Sequence, residues 1–224
     1  MNSPSSFYKK HGKRALDILL CSFALLVLSP VFLLTALAIK LSSRGPVFYY
    51  SLRQGRGKRP FRFYKFRSMH LPKGRDKGLC IADADRLFPV GRLIRRLKID
   101  ELPQLVNVIR GDMSIVGPRP MVSGGADDFY SGKYAPVATI RPGLTSPASL
   151  YDYVVGDSVA DERLYRETVL PVKLELELLY VSRESFPYDA GLVFRTMGTI
   201  LAKLFNRKNI PPPSECGLVK GALQ

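Results

Sequence analysis

The sequence predicts a mainly helical α+β fold in a monotopic membrane protein. A Ser-Pro-broken re-entrant helix comes first, then a compact cytoplasmic domain with amphipathic interfacial helices. Three observations carry this. The apolar run 15–41 is interrupted at its middle by Ser29-Pro30. Basic sequence flanks the run on both sides. The rest of the chain alternates helical periodicities with one aromatic, strand-like stretch. The expected boundaries are 1–44 for the basic N-terminus and membrane helix-break-helix, 45–205 for the cytoplasmic domain, and 206–224 for a tail.

Between Ala15 and Leu41 the only ionisable groups are Asp17 and Lys40. At ~1.5 Å per residue, a straight helix of that length reaches across a ~30 Å hydrocarbon core. A signal peptide has a shorter apolar region of ~7–15 residues and is not followed by strongly basic sequence, although Ala36-Leu37-Ala38 resembles a cleavage site. For a straight spanning helix, Lys9, Lys10, Lys13 and Arg14 on one side and Lys40, Arg44, Arg53 and Arg56 on the other would both be drawn to the cytoplasm. Pro30 lacks an N–H and its ring clashes with the Leu26 carbonyl, and Ser29 offers a hydroxyl to a freed backbone group. On Ser-Pro alone a kinked spanning helix fits as well as a re-entrant one. The symmetrical charge favours re-entry.

The net charge is +15, and residues 1–75 carry nearly all of it: fifteen Lys/Arg against the single acid Asp17. Such a field attracts nucleic acid, anionic lipid headgroups or a nucleotide substrate. Cys21, Cys80 and Cys216 are odd in number and lack C-x-x-C spacing, which opposes a disulfide framework or zinc site and suits a reducing compartment. His11 and His70 are the only histidines, which leaves little room for a His-based metal site or a Ser-His triad.

After the membrane segment, 53–59 is a glycine-containing basic loop and 61–65 an alternating strand. Neither a P-loop nor a full G-x-G-x-x-G occurs. Residues 71–90 read as a loop able to cover a site. Leu93, Ile94 and Leu97 mark one helix; Leu102, Leu105, Val106 and Ile109 mark a second. Asp100 stands where its N-cap belongs, with Glu101 and Pro103 in the first turn and Gly111 as C-terminal cap. Residues 138–153 read as an irregular loop and 161–182 as a helix. A last helix begins at Pro187, with Val193, Met197, Ile200, Leu201 and Leu204 on one face. Its Arg195, Lys203, Arg207 and Lys208 suit a membrane surface or a domain core equally.

Asp100-Glu101 lies among Arg92, Arg95, Arg96, Lys98, Arg110 and Arg119. An acidic helix start accounts for such a pair by itself. In a basic site, adjacent carboxylates also hold a divalent cation, and one can attack phosphorus. Gly117-Pro118-Arg119-Pro120 fixes an arginine between rigid prolines, either as a plain turn or as an anion ligand. Alternation puts Lys65 and Arg67 on one strand face, as phosphate contacts or as a solvated edge.

Four blocks, "YKFRSM" (64–69), "DELPQLVNVIRGDMSIVGPRP" (100–120), "RPGLTSPASL" (141–150) and "LELELLYVSRESFPYDAGLVFRTMGTIL" (174–201), resemble the bacterial sugar transferases, the small monotopic polyprenyl-phosphate phosphoglycosyl transferases. The resemblance covers about residues 13–205. It implies a re-entrant helix broken at Ser29-Pro30, a catalytic Asp100-Glu101 dyad with Asp100 as nucleophile and metal ligand, and a Mg²⁺ cofactor. With it, Lys65, Arg67, Arg95 and Arg119 are the expected substrate-phosphate ligands. The implied reaction moves a sugar-1-phosphate from a UDP-sugar to undecaprenyl phosphate and releases UMP. The implied place is the cytoplasmic leaflet of the bacterial inner membrane, with no nucleic acid partner; a homodimer stays open. Ser146-Pro147-Ala148-Ser149 replaces the Gly-Trp-Ala-Gln of many members and differs only at 146 from the Gly-Pro-Ala-Ser of others, so the sugar is not assigned, and Ser51 and Lys58 depart from the common basic loop. The competing reading is a non-catalytic membrane-surface protein that binds nucleic acid or anionic lipid.

Overall fold

The apolar run folds as two helices that meet at 59°. In the computed structural model, which describes residues 7–70, 86–123, 129–156, 159, 161–205, 207 and 210–220, α1 covers Lys13–Val27 and α2 covers Ser29–Ser42. The break follows from the residue types. Pro30 offers no N–H to the Leu26 carbonyl, and Ser29 Oγ donates to that carbonyl instead, at 2.8 Å. Among the described residues no single helix is long and apolar enough to cross a membrane. Leu19, Phe23, Leu26, Leu33, Leu37 and Leu41 stand exposed along the pair.

The other side of α1 is bound to the rest of the molecule. Asp17 is buried and accepts the Ile115 amide at 3.0 Å. Arg14 donates to the Val108 and Ile109 carbonyls, which caps the helix Gln104–Arg110 from outside. Cys21 packs with Phe61, Phe63, Val108 and Met113.

The expected strand is the second half of a hairpin, β1 (Phe48–Gln54) with β2 (Pro60–Phe66), in which Tyr49 faces Lys65. Its turn needs left-handed backbone at Gly57 (φ 65°) and Lys58 (φ 59°). Phe61 and Phe63 face the core, as alternation requires.

Helix α3 (Pro89–Arg96) follows, then α4 (Gln104–Arg110). A Cβ on Gly91 would sit 1.9 Å from the Ser68 carbonyl oxygen, so only glycine lets α3 lie this close to the chain after β2. Between the helices, Lys98 is left-handed (φ 56°) and Ile99–Glu101 forms a 3₁₀ turn. This corrects the expected N-cap. Pro103 takes that position and Asp100 caps nothing. The reversal at Lys98 restarts the chain before α4 and turns the Asp100 carboxylate elsewhere.

Gly111 (φ 93°) ends α4 as expected. The stretch expected as an irregular loop is more regular. β4 (Gly143–Thr145) pairs in parallel with β3 (Ser114–Val116), and α5 (Pro147–Val154) follows. Ser146 Oγ accepts the Ser149 amide at 2.9 Å and Pro147 occupies the first turn, a complete start signal.

The helical run Glu162–Leu164 and Tyr165–Val169 leads into α6 (Leu170–Arg183), then α7 (Phe186–Leu204). The single apolar face expected on α7 is split. Leu192 and Val193 pack inward, while Phe194, Met197, Leu201 and Phe205 form an exposed stripe. Arg195, expected to be lipid-facing or core-facing, pairs with buried Glu215 at 2.6 and 2.9 Å. That pairing holds down the segment expected as a tail, and α8 (Cys216–Lys220) packs Cys216 and Val219 against Leu176 and Val172. The expected cover loop falls mostly at 71–85, with Cys80, outside the described residues.

Candidate active site

The cluster beneath the acidic pair is apolar and shared with the membrane-type segment. Ile39 of α2, Phe66, Phe88 and Ile94 form its centre, with Phe32, Ile99 and Leu102 packed on it. Ile99 and Leu102 bracket Asp100-Glu101, so the dyad borders an apolar cluster to which the second half-helix contributes Ile39 and Phe32.

Asp100 is 5 % exposed. Its Oδ2 lies 3.7 Å from Lys65 Nζ, and its Oδ1 is buried without a hydrogen-bond partner. Burial pushes its carboxyl above the ordinary range, Lys65 opposes that, and Glu101 adds to it. Glu101 is more open. Its Oε1 accepts from Lys65 Nζ at 2.9 Å and from Arg119 Nη2 at 3.5 Å. Burial works against ionisation there too, but Lys65 and Arg119 outweigh it and hold Glu101 well below the usual carboxylate range.

The structure brings together Asp100, Glu101, Lys65 and Arg119. Arg95 acts on Asp100 through its charge, while its Nη1 lies 3.6 Å from Met69 Sδ. Arg67 goes elsewhere. β2 ends at Phe66, so alternation no longer governs the next residue. The Arg67 guanidinium is 2 % exposed and donates to the Pro46 carbonyl at 2.6 Å, Ser43 Oγ at 2.9 Å and the Ser43 carbonyl at 2.8 Å. It ties the end of α2 to the hairpin.

Three further side chains support the site. Asn107 is fully buried. It accepts the Tyr64 amide at 3.1 Å and donates to the Arg62 carbonyl at 2.7 Å and to Asp112 at 3.1 Å. It thereby sets the strand that carries Lys65 against α4. Glu177 Oε1 accepts the Arg119 amide at 2.9 Å, and Tyr130 donates to the Arg119 carbonyl at 3.1 Å. The arginine's backbone is thus held on both sides besides its two prolines. Buried amides and carboxylates with long-range backbone partners leave no local pattern. Only the placement of Asn107 and Glu177 inside the recognisable blocks 100–120 and 174–201 points to them.

Among the described residues no group of three or more His, Cys, Asp or Glu side chains converges to cage a metal ion. The unpartnered Asp100 oxygen beside Glu101 fits a different kind of ion. Magnesium is held by one or two carboxylates, with phosphate oxygens and water completing its octahedron.

A sequence profile described as "Bacterial sugar transferase" matches residues 8–203. The chain belongs to the bacterial sugar transferase family. Members similar to it include a protein of Caulobacter vibrioides named UDP-glucose:undecaprenyl-phosphate glucose-1-phosphate transferase, 39 % identical over 84 % of this chain and 69 % of its own length. A UDP-N-acetylgalactosamine-undecaprenyl-phosphate N-acetylgalactosaminephosphotransferase of Aeromonas hydrophila is also 39 % identical over 84 % of this chain, which spans 43 % of that relative. The exopolysaccharide production protein PSS of Rhizobium leguminosarum bv. phaseoli is 35 % identical, over 88 % of this chain and 96 % of its own length. Within this bacterial sugar transferase the matched residues include the dyad, Lys65, Arg119 and both half-helices.

Proposed function

We propose that this protein transfers a sugar-1-phosphate from a UDP-sugar to undecaprenyl phosphate and releases UMP, through a phosphosugar held on Asp100. One observation carries the reading: a buried aspartate oxygen with no partner, in a site whose cations are bound to its neighbour. An Asp100 oxygen attacks the β-phosphorus of the donor. The bond from that phosphorus to the bridging oxygen breaks, and UMP leaves with the electron pair. An oxygen of the lipid phosphate then attacks the same phosphorus and displaces the Asp100 carboxylate. The product is a lipid diphosphosugar, and the aspartate is regenerated.

Lys65 and Arg119 hold Glu101 ionised and stand where phosphoryl charge accumulates. Asp100 and Glu101 would hold a magnesium ion, which supplies charge neutralisation to the phosphate oxygens when bound. Glu101 would orient it.

The same reading places the bent helix pair in one leaflet of the bacterial inner membrane, with the rest of the chain on its cytoplasmic face. The bend at Ser29-Pro30, basic flanks on both sides and the exposed leucines support this. So does the fixing of both halves to the rest of the chain, α1 through Asp17 and Arg14 and the end of α2 through Ser43 and Arg67.

The test is Mg²⁺-dependent UMP release from a panel of UDP-sugars with undecaprenyl phosphate present. Release with at least one sugar, abolished in Asp100→Asn, is expected. Silence across the whole panel contradicts the reading.

A further inference from the structure

We propose that Arg14, Arg56 and Arg141 form an anion site for the phosphate of a negatively charged membrane phospholipid, seated where α1 enters the leaflet. The proposal rests on the one-leaflet placement above and is independent of the transfer chemistry.

Backbone groups gather the three guanidiniums near the end of α4. The Gly111 carbonyl accepts from Arg141 Nε at 3.1 Å, and a Cβ placed on Gly111 would lie 3.3 Å from Arg14 Nη2. Arg56 Nε donates at 2.8 Å to the carbonyl of Thr139, two residues before Arg141 in the chain. Burial, then the charges of Arg14 and Arg56, lower the Arg141 pKa from the ordinary guanidinium range, and Asp17 opposes them. Like charges are thus held within reach of one another, and a bound phosphate relieves their repulsion.

The cluster keeps donors and lacks a counter-charge. Arg56 and Arg141 each spend only Nε on the protein, so among the described residues both Nη groups of each remain to give. The Nε bond fixes the plane of each fork, which suits paired bonds to phosphate oxygens. Lys13, next to Arg14, is paired with Asp189 at 2.6 Å and Glu184 at 3.2 Å, but among the described residues none of the three arginines stands in a salt bridge. The acids nearest in the chain are engaged: Asp17 accepts the Ile115 amide, and Asp112 accepts from Asn107 at 3.1 Å. Arg56 is exposed and Arg14 and Arg141 are partly so, which lets an anion reach them from outside.

The place of the cluster along α1 selects a lipid phosphate over a free one. Arg14 lies one turn before Ile18 and Leu19, the first exposed large apolar residues of that helix. The separation is about 6–8 Å along the axis. A phospholipid held at this level has its charge at the arginines and its acyl chains along the exposed apolar side of α1. The site is distinct from the catalytic one: Asp100 precedes the start of α4, whereas Gly111 stands at its end.

The test is native mass spectrometry of the detergent-purified full chain with phosphatidylglycerol, phosphatidylcholine or inorganic phosphate, and with neither UDP-sugar nor undecaprenyl phosphate present. Wild type should retain one phosphatidylglycerol in preference to phosphatidylcholine. Arg56→Gln and Arg141→Gln should each weaken that retention about 5-fold, and the double variant about 25-fold. Arg141→Lys keeps the charge without the fork and should fall between. Asp100→Asn should retain the lipid as wild type does, so a failure of UMP release leaves this result standing. Equal retention of the two phospholipids by wild type overturns the site, as does undiminished retention in Arg56→Gln with a wild-type melting temperature. Displacement of phosphatidylglycerol by equimolar inorganic phosphate would assign the arginines to a free anion and overturn the lipid assignment.

Discussion

Lys65 Nζ lies 2.9 Å from Glu101 Oε1 and 3.7 Å from Asp100 Oδ2. One cation thus satisfies the residue assigned to orientation and stands off from the residue assigned to attack. Lys65→Met removes the charge that keeps two neighbouring carboxylates compatible. It should lower turnover about 100-fold or more, read as initial rates of UMP release, with Lys65→Arg intermediate. Wild-type rates in Lys65→Met would remove Lys65 from the site.

Glu177 supplies a pH signature. Burial raises its carboxyl from an ordinary 4.5 to about 7, against the opposing pull of the Arg119 amide. The fold therefore favours the protonated form. No penalty exists below about pH 4.5; it grows as pH climbs and is complete above about pH 7. Glu177→Gln keeps an acceptor for the Arg119 amide and cannot ionise. Its melting temperature should exceed wild type above pH 7 and converge with it near pH 5. Parallel melting curves across that range would contradict the assignment.

Asn107 fastens the Lys65 strand to α4. Asn107→Ala leaves the Arg62 carbonyl and Tyr64 amide without this partner, at about 1–3 kcal/mol for each group left buried and unpaired. The melting temperature should fall, and turnover should fall with it because Lys65 loses its register. Asn107→Asp should not rescue: it loses the donor to Arg62 and brings a charge beside Asp112. An unchanged melt in Asn107→Ala would dismiss this role.

Topology is testable by labelling. Ser5→Cys and Tyr50→Cys, each combined with Cys80→Ser in sealed inner-membrane vesicles, should react with an impermeant maleimide from the same side. Tyr50 is exposed, and Cys21 and Cys216 are buried. Reaction from opposite sides would mean that the bent pair crosses the bilayer.

The helix break was legible because proline acts on its own turn: Leu26, Ser29 and Pro30 are neighbours, and the bond that forms lies within four residues. The glycine end of α4 was legible for the same reason. The N-cap assigned to Asp100 failed because the left-handed step at Lys98 cannot be seen in residue type; lysine does not favour it. Arg67 was placed with Lys65 by a strand period that stops one residue too early. α5 was obscured by the Pro/Gly content around it, although Ser146-Pro147 is an adequate start. Glu215 and Arg195 are twenty residues apart with no periodicity linking them, so the docking of the C-terminal segment had no local sign. The dyad itself stood out by its company of cations, and the register Tyr49 to Lys65 shows how that company is delivered.

The most direct measurement is intact-protein mass spectrometry after incubation with a UDP-sugar, Mg²⁺ and no acceptor. A single phosphosugar adduct, mapped to Asp100, formed with about one UMP released per protein and discharged by undecaprenyl phosphate, is the predicted result. UMP formed only when acceptor is present, with no adduct at any time and full turnover in Asp100→Asn, would contradict it.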